Sequence, residues 1–156
     1  MADILALHRR LSRHPGGIWL FSRLVCLKAP YFSTIGPRIH VLEPGRCEAT
    51  IRDRRAVHNH IGTVHAIALC NLAELTGGLM TDVSIPKSMR WIPKGMTVEY
   101  RKKAQGPLRA VATPGFAPHE SAEGYELPAL VDVLDASGET VFSARIAMWV
   151  SPKRRT

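Results

Sequence analysis

Hydrophobic and polar positions recur in changing rhythms along this chain, and the changes divide it. In residues 3–13, Ile4, Leu7 and Leu11 fall at helical spacing with Arg9, Arg10 and Arg13 between them, which predicts an amphipathic helix. His14-Pro15-Gly16-Gly17 breaks that pattern, and a second helix is expected over 18–29, ahead of Pro30. Its apolar stripe, Trp19, Leu20, Leu24 and Leu27, is expected to cover a sheet face or a pocket rather than rest on a membrane surface. After Gly36-Pro37 the period shortens: residues 38–43 and 46–53 read as strands around the turn dipeptide Pro44-Gly45. A polar loop, 54–62, then runs into an almost wholly apolar central helix over 63–76, for which Gly77-Gly78 supplies a C-terminal stop. The remainder is strand, over 96–102, 108–113, 127–134 and 140–150, with Asp135-Ala136-Ser137-Gly138 marking a hairpin between the last two. The sum is an α+β fold, an antiparallel sheet wrapped around a central helix. Its expected divisions are a helical extension over 1–35, the main domain over 36–150 and a basic tail over 151–156 that includes Lys153-Arg154-Arg155.

Composition narrows the function classes. With 156 residues, 46% of them hydrophobic, the chain is long enough for one domain with a substantial core. A net charge of +8 favours an anionic partner. Only 6% of residues are aromatic and no basic stretch interleaves with them, which argues against nucleic acid. Cys26, Cys47 and Cys70 are odd in number and lack CxxC spacing, as reduced thiols do. No signal peptide is read, and the apolar run 19–29 is short and broken by Arg23 and Lys28, so no membrane span and a cytoplasmic location are expected.

The chemistry concentrates in residues 59–78. The central helix carries a single carboxylate, Glu74. A helix apolar on every face is normally buried, and an acid buried there is rare unless paired. On composition alone a hydrogen-bonded core glutamate is the favoured reading, with a functional acid as the alternative.

The run Asn59, Gly62, Thr63, Val64, His65, followed by Leu72-Ala73-Glu74, resembles the loop and helix of the hotdog-fold acyl-CoA thioesterases, the phenylacetyl-CoA thioesterase type above all. That likeness implies a hotdog fold and thioester hydrolysis. It gives Glu74 the role of nucleophile or general base, Asn59 that of orienting the thioester or water, and the amides of Ala66 or Ile67 that of an oxyanion hole. His65 stands in the catalytic set, with a packed first-turn histidine as the equal alternative. The family commonly has Gly-Gly where this chain has Ala66-Ile67, which keeps the backbone N–H groups and narrows the acyl space. His60, Gly62, Thr63, Arg90 and Lys102 are candidates for substrate binding. Arg54-Arg55, Lys87, Lys94 and Arg101-Lys103 are further cations for CoA phosphates. Coenzyme A enters as part of the substrate, and no separate cofactor is expected.

Thioester hydrolysis builds charge on the carbonyl oxygen, and the first turn of a helix offers unpaired N–H donors to it. From Ala66 to Glu74 is eight residues, about 12 Å of helix axis. One helix therefore cannot bring both to one carbonyl, whereas two helices antiparallel across a two-fold axis can. The catalytic reading thus predicts a homodimer, or a dimer of dimers, with two interfacial sites. His58, His60 and His65 fit no zinc spacing, so no metal is expected. Two alternatives remain: a hotdog protein that binds an acyl-CoA or acyl carrier without chemistry, and a dehydratase or hydratase using His60 with Glu74.

Overall fold

Asp3 starts the first helix, its carboxylate accepting from the N–H groups of Leu5 and Ala6, so α1 (Ile4–Leu11) begins on a capped first turn. This computed structural model describes residues 3–153. The second helix, α2 (Gly17–Lys28), buries Phe21, Ser22 and Cys26. The Trp19, Leu20, Leu24, Leu27 stripe faces out, contrary to the expectation that it covers a sheet or pocket. Ser22 fixes this orientation: its hydroxyl accepts from Ile39 N at 2.9 Å and donates to Ile18 O at 2.7 Å. A 3-10 helix, Pro30–Ile35, then leads to Gly36 and the sheet.

The strands are β1 (Arg38–Glu43), β2 (Arg46–Ile51), β3 (Met89–Tyr100), β4 (Leu108–Pro114), β5 (Tyr125–Leu134) and β6 (Thr140–Pro152). They form one antiparallel sheet in the order β1-β2-β4-β5-β6-β3. The long helix α3 (Ala66–Ser84) packs against all six strands. This is the hotdog arrangement expected from the loop and helix residues. Small side chains on the strands, Ala49, Ala110, Ala112 and Ala129, are fully buried and let the helix approach. Leu72 and Met80 from α3 complete the core with Ile39, Leu127, Ile146 and Met148.

Several boundaries differ from the sequence reading; α3 starts at Ala66 rather than 63 and β2 ends at Ile51 rather than 53. Gly77-Gly78 does not stop α3, which runs on to Ser84. Both glycines are there for close approach. A Cβ on Gly77 would lie 3.0 Å from Ile146, and one on Gly78 would lie 2.9 Å from the Trp91 ring. The propensity cost of a helical glycine, about 1 kcal/mol against alanine, is offset by the packing it permits. β3 begins at Met89 rather than Met96, because Pro93 sits at an irregularity between Pro93 and Gly95 on an edge strand, where a missing N–H is tolerated.

β6 extends to Pro152, so the first two residues of the expected tail are strand. Lys153 N donates to Ser88 O at 2.9 Å, and residues 154–156 of that tail lie outside the described residues. The three cysteines are free: Cys26 and Cys47 are buried, and Cys70 is half-buried. Burial pushes the Cys47 thiol well above its ordinary pKa. Among the described residues no helix is long and apolar enough to cross a membrane.

Candidate active site

The loop before α3 is built to hold its own shape. Asn59 carries most of it: its Oδ1 accepts from Ile61 N and Thr63 N, both at 3.1 Å, and its Nδ2 donates to Thr63 Oγ1 at 2.8 Å. Gly62 closes the turn at φ 78°, a conformation that side chains disfavour. Asn59 is thus the brace of this turn, with one amide hydrogen left over. Val64 N donates to Ala104 O at 2.9 Å and His65 N to Val57 O at 2.8 Å, tying the loop's exit to its neighbours. Asp53 anchors the entry, bonding His58 through one oxygen and accepting from Gly106 N at 2.6 Å through the other. The His58 hydrogen bond, then that of Gly106, holds the Asp53 carboxyl below the ordinary aspartate range.

His65 is the N-cap of α3. Its Nδ1 accepts from Ile67 N at 3.0 Å, so the Ile67 amide expected in the oxyanion hole is already engaged. The Ala66 N–H finds no acceptor among the described residues and remains the free donor of the first turn. His60 stands exposed on the turn. The three histidines of the loop do not converge: His58 turns to Asp53, His65 to α3 and His60 to solvent.

On α3 the two halves differ. From Leu75 to Thr81 every residue is buried. The N-terminal half instead presents Ile67, the half-buried Cys70 and Glu74 along one stripe. Glu74 is exposed, which corrects the expectation of a buried acid, and no hydrogen bond or ion pair engages its carboxylate among the described residues. A helix apolar on every face is expected to be buried throughout, yet one strip of it is left uncovered in the single chain. Beside that strip, Cys70 Sγ lies 3.3 Å from Tyr100 Oη at the end of β3. That contact, with burial second, pushes the Tyr100 hydroxyl up to about 12.

A cavity of about 180 Å³ opens next to the α3 N-terminus, lined by Tyr31, Thr34, His58, His65, Ile67 and Asn71 among others. Asn71 donates to Thr34 Oγ1 at 3.1 Å, and Thr34 donates on to Tyr31 O at 2.8 Å. That relay fixes the Asn71 amide orientation and leaves its buried Oδ1 without a donor, at a cost of about 1–3 kcal/mol. Sequence reasoning missed Asn71. Its signal was available, a second polar residue in an apolar helix, one turn before Glu74.

The predicted cations separate. Lys102 is paired with Asp135 at 2.9 Å and with Glu139 at 2.5 Å, so its ammonium already has two carboxylate partners. Arg101 leans on Glu99 at 3.2 Å, Lys94 lies 3.8 Å from the Trp149 ring, and Arg54 donates to Thr34 O at 2.8 Å. Arg55, Arg90 and Lys103 are exposed and have no carboxylate partner among the described residues. Gly62 and His60 sit at the exposed tip of the turn, whereas Thr63 is buried beneath it.

Solved structures share this architecture. A structural-genomics protein, APC5556, is 42% identical, with 96% of this chain and 99% of that one covered and a TM-score of 0.82. PA5026 from Pseudomonas aeruginosa, described as a protein of unknown function and probable thioesterase, is 26% identical over 85% of this chain and 93% of its own, with a TM-score of 0.73. BH2602 from Bacillus halodurans, solved with CoA, is 22% identical over 66% of each chain with a TM-score of 0.58, a likeness of fold. No protein of curated function matches the chain. The model of a domain of unknown function, DUF4442, matches residues 17–150, so the chain belongs to the DUF4442 family, here with a hotdog fold.

Proposed function

We propose that the protein hydrolyses acyl-CoA thioesters at two equivalent sites, each formed between two protomers. The observation that carries this reading is the Glu74 carboxylate, exposed and without an ion-pair partner among the described residues, on an otherwise apolar strip of α3. β3 supplies the means of pairing. It is twelve residues long and, among the described residues, pairs with β6 alone, leaving its other edge open, a ready template for another strand. Pairing with its two-fold copy extends the sheet and sets the two α3 helices antiparallel across the axis. Glu74 of one protomer then stands near the Ala66 N–H of the other, and the apolar strip is covered.

In that site the thioester carbonyl oxygen accepts from the free Ala66 N–H, aided by the positive end of the helix. Glu74 takes the proton from an attacking water as the C–S bond breaks, or attacks itself and forms an anhydride that water then opens. Arg55, Arg90 and Lys103, rather than Lys102, are the cations left to meet CoA phosphates. The likeness to PA5026, a probable thioesterase, and the CoA held by BH2602 support the substrate class.

A thiol-release assay over acyl-CoAs of varied length and ring content tests the reading. Glu74→Gln is expected to lower turnover by about 10²–10⁴-fold, the usual contribution of an acid-base group. Unchanged turnover in that variant ends the proposal. Tight binding by the wild type without thiol release makes the protein a carrier, and hydration of an enoyl thioester that depends on His60 makes it a hydratase.

A further inference from the structure

We infer that the outer face of α2 is a docking surface for an anionic phospholipid bilayer. Trp19, Leu20, Leu24, Leu27 and Tyr31 are all exposed, Leu27 at 77% and Tyr31 at 67%. The first four line one face of α2 and Tyr31 follows on the 3-10 helix after it; large apolar side chains grouped in this way mark an interaction surface. The helix cannot turn them inward. Ser22 is bonded to Ile39 N on the inner face, and Phe21 lies edge-on to the His8 ring at 4.8 Å.

Charge decides the occupant. Residues 3–38 hold six Lys and Arg against one acid, Asp3. Arg38 lies 6.0 Å from the Trp19 ring and is close enough to Arg23 and Arg52 for both to disfavour its charged form, after burial as the larger cause. These three guanidiniums have no carboxylate partner among the described residues. A second copy seated on the same face would press two such clusters together. Nucleic acid would meet the guanidiniums and gain nothing from Leu24 and Leu27. A bilayer satisfies both: phosphates for the arginines, and the acyl boundary for the leucines and Trp19.

The place of α2 in the fold fits this use. It packs on β1, the sheet edge farthest from β3, so the face stays open when two protomers join through β3. The exposed stripe ends at Tyr31, which also lines the cavity beside the α3 N-terminus. The inference does not depend on α3 and holds whatever chemistry that helix performs.

Flotation of the full-length protein with two kinds of vesicle tests it, phosphatidylcholine alone and phosphatidylcholine mixed with phosphatidylglycerol. The wild type is expected to float with the anionic vesicles only, and to be released by salt. Leu24→Glu/Leu27→Glu changes two exposed side chains and is expected to reduce partitioning more than tenfold with circular dichroism and thiol release unchanged. Arg23→Ala is expected to reduce it about fivefold. Failure of the wild type to float with anionic vesicles overturns the inference. So does a leucine variant that floats as well as the wild type, or one that elutes as a smaller oligomer, which would make this face a contact between copies.

Discussion

A site shared between two protomers, as proposed, makes a prediction that no single-chain site can meet. Ala66 is the first residue of α3, its N–H has no acceptor among the described residues, and His65 before it lies at φ −64° and ψ 140°. Proline is favoured at this helical position, and an extended residue before it is what proline requires. Ala66→Pro therefore deletes the proposed oxyanion donor while sparing the helix. Loss of one such donor costs about 10²–10³ in kcat. Glu74→Gln removes the acid on the same scale or beyond it, and with Glu74 exposed and unpaired its effect on stability should stay within about 0.5 kcal/mol.

Each variant alone is then nearly inactive. Mixed in equal amounts, dissociated and reassociated, they form heterodimers as about half of all dimers. In a heterodimer one site pairs glutamine with proline. The other pairs a native Glu74 with a native Ala66 N–H. One site in two is restored in half of the dimers, so about a quarter of wild-type turnover should return. Thiol release read before and after reassociation measures it. A mixture no more active than its parents places the acid and the donor in one chain, or outside the reaction, and refutes the two-protomer geometry.

Other outcomes follow from single contacts. His65→Ala loses the Nδ1 cap on Ile67 N and should lower stability by about 1 kcal/mol, seen as a fall of about 2–4 °C in the melting midpoint; an unchanged midpoint shows the cap contributes nothing. Because His58 and Gly106 depress the Asp53 pKa in the folded protein, its contribution is present above the unfolded aspartate value, about 3.9, and is lost as pH falls through the lower folded value. Urea midpoints below about pH 4 should therefore drop more steeply for the wild type than for Asp53→Asn. Gly78→Leu drives a side chain into the Trp91 ring and should destabilise by about 1–3 kcal/mol despite better helix propensity; a stabilised variant would show that Trp91 moves aside freely.

How far the sequence could be read depended on whether a feature was local. α1, β1, β2 and the β5–β6 hairpin follow from period and turn chemistry within a few residues, and the structure keeps them. β3 hid its first half behind Pro93 and Gly95, which look like a turn and are an edge-strand irregularity. The face of α2 was misjudged because Trp19 and the leucines outweigh Phe21, Ser22 and Cys26 in hydrophobicity. Contacts from elsewhere in the chain, among them the bond from Ile39 seventeen positions away and the His8 ring against Phe21, determine which side packs. In the site, Glu74 and the Asn59 turn stood out as residue types in fixed register. Tyr100 against Cys70 and Thr34 against Asn71 are thirty and thirty-seven positions apart, and no local pattern records such pairs.

The glycine pair ties these errors together and explains the asymmetry of α3. Glycine at 78 admits the Trp91 ring, and Trp91 Nε1 donates to Asp82 Oδ1 at 3.1 Å. β3 is thereby clamped over the second half of the helix. The clamp fixes where the strand lies along α3, and so fixes the height of its open edge relative to Glu74. In the proposed dimer, two protomers joined by that edge would inherit the register. Under that proposal, a residue pair that reads as a helix stop would set how far one chain's carboxylate stands from its neighbour's amide, and the exposed strip ahead of Trp91 would be the part of the helix left for the partner to cover.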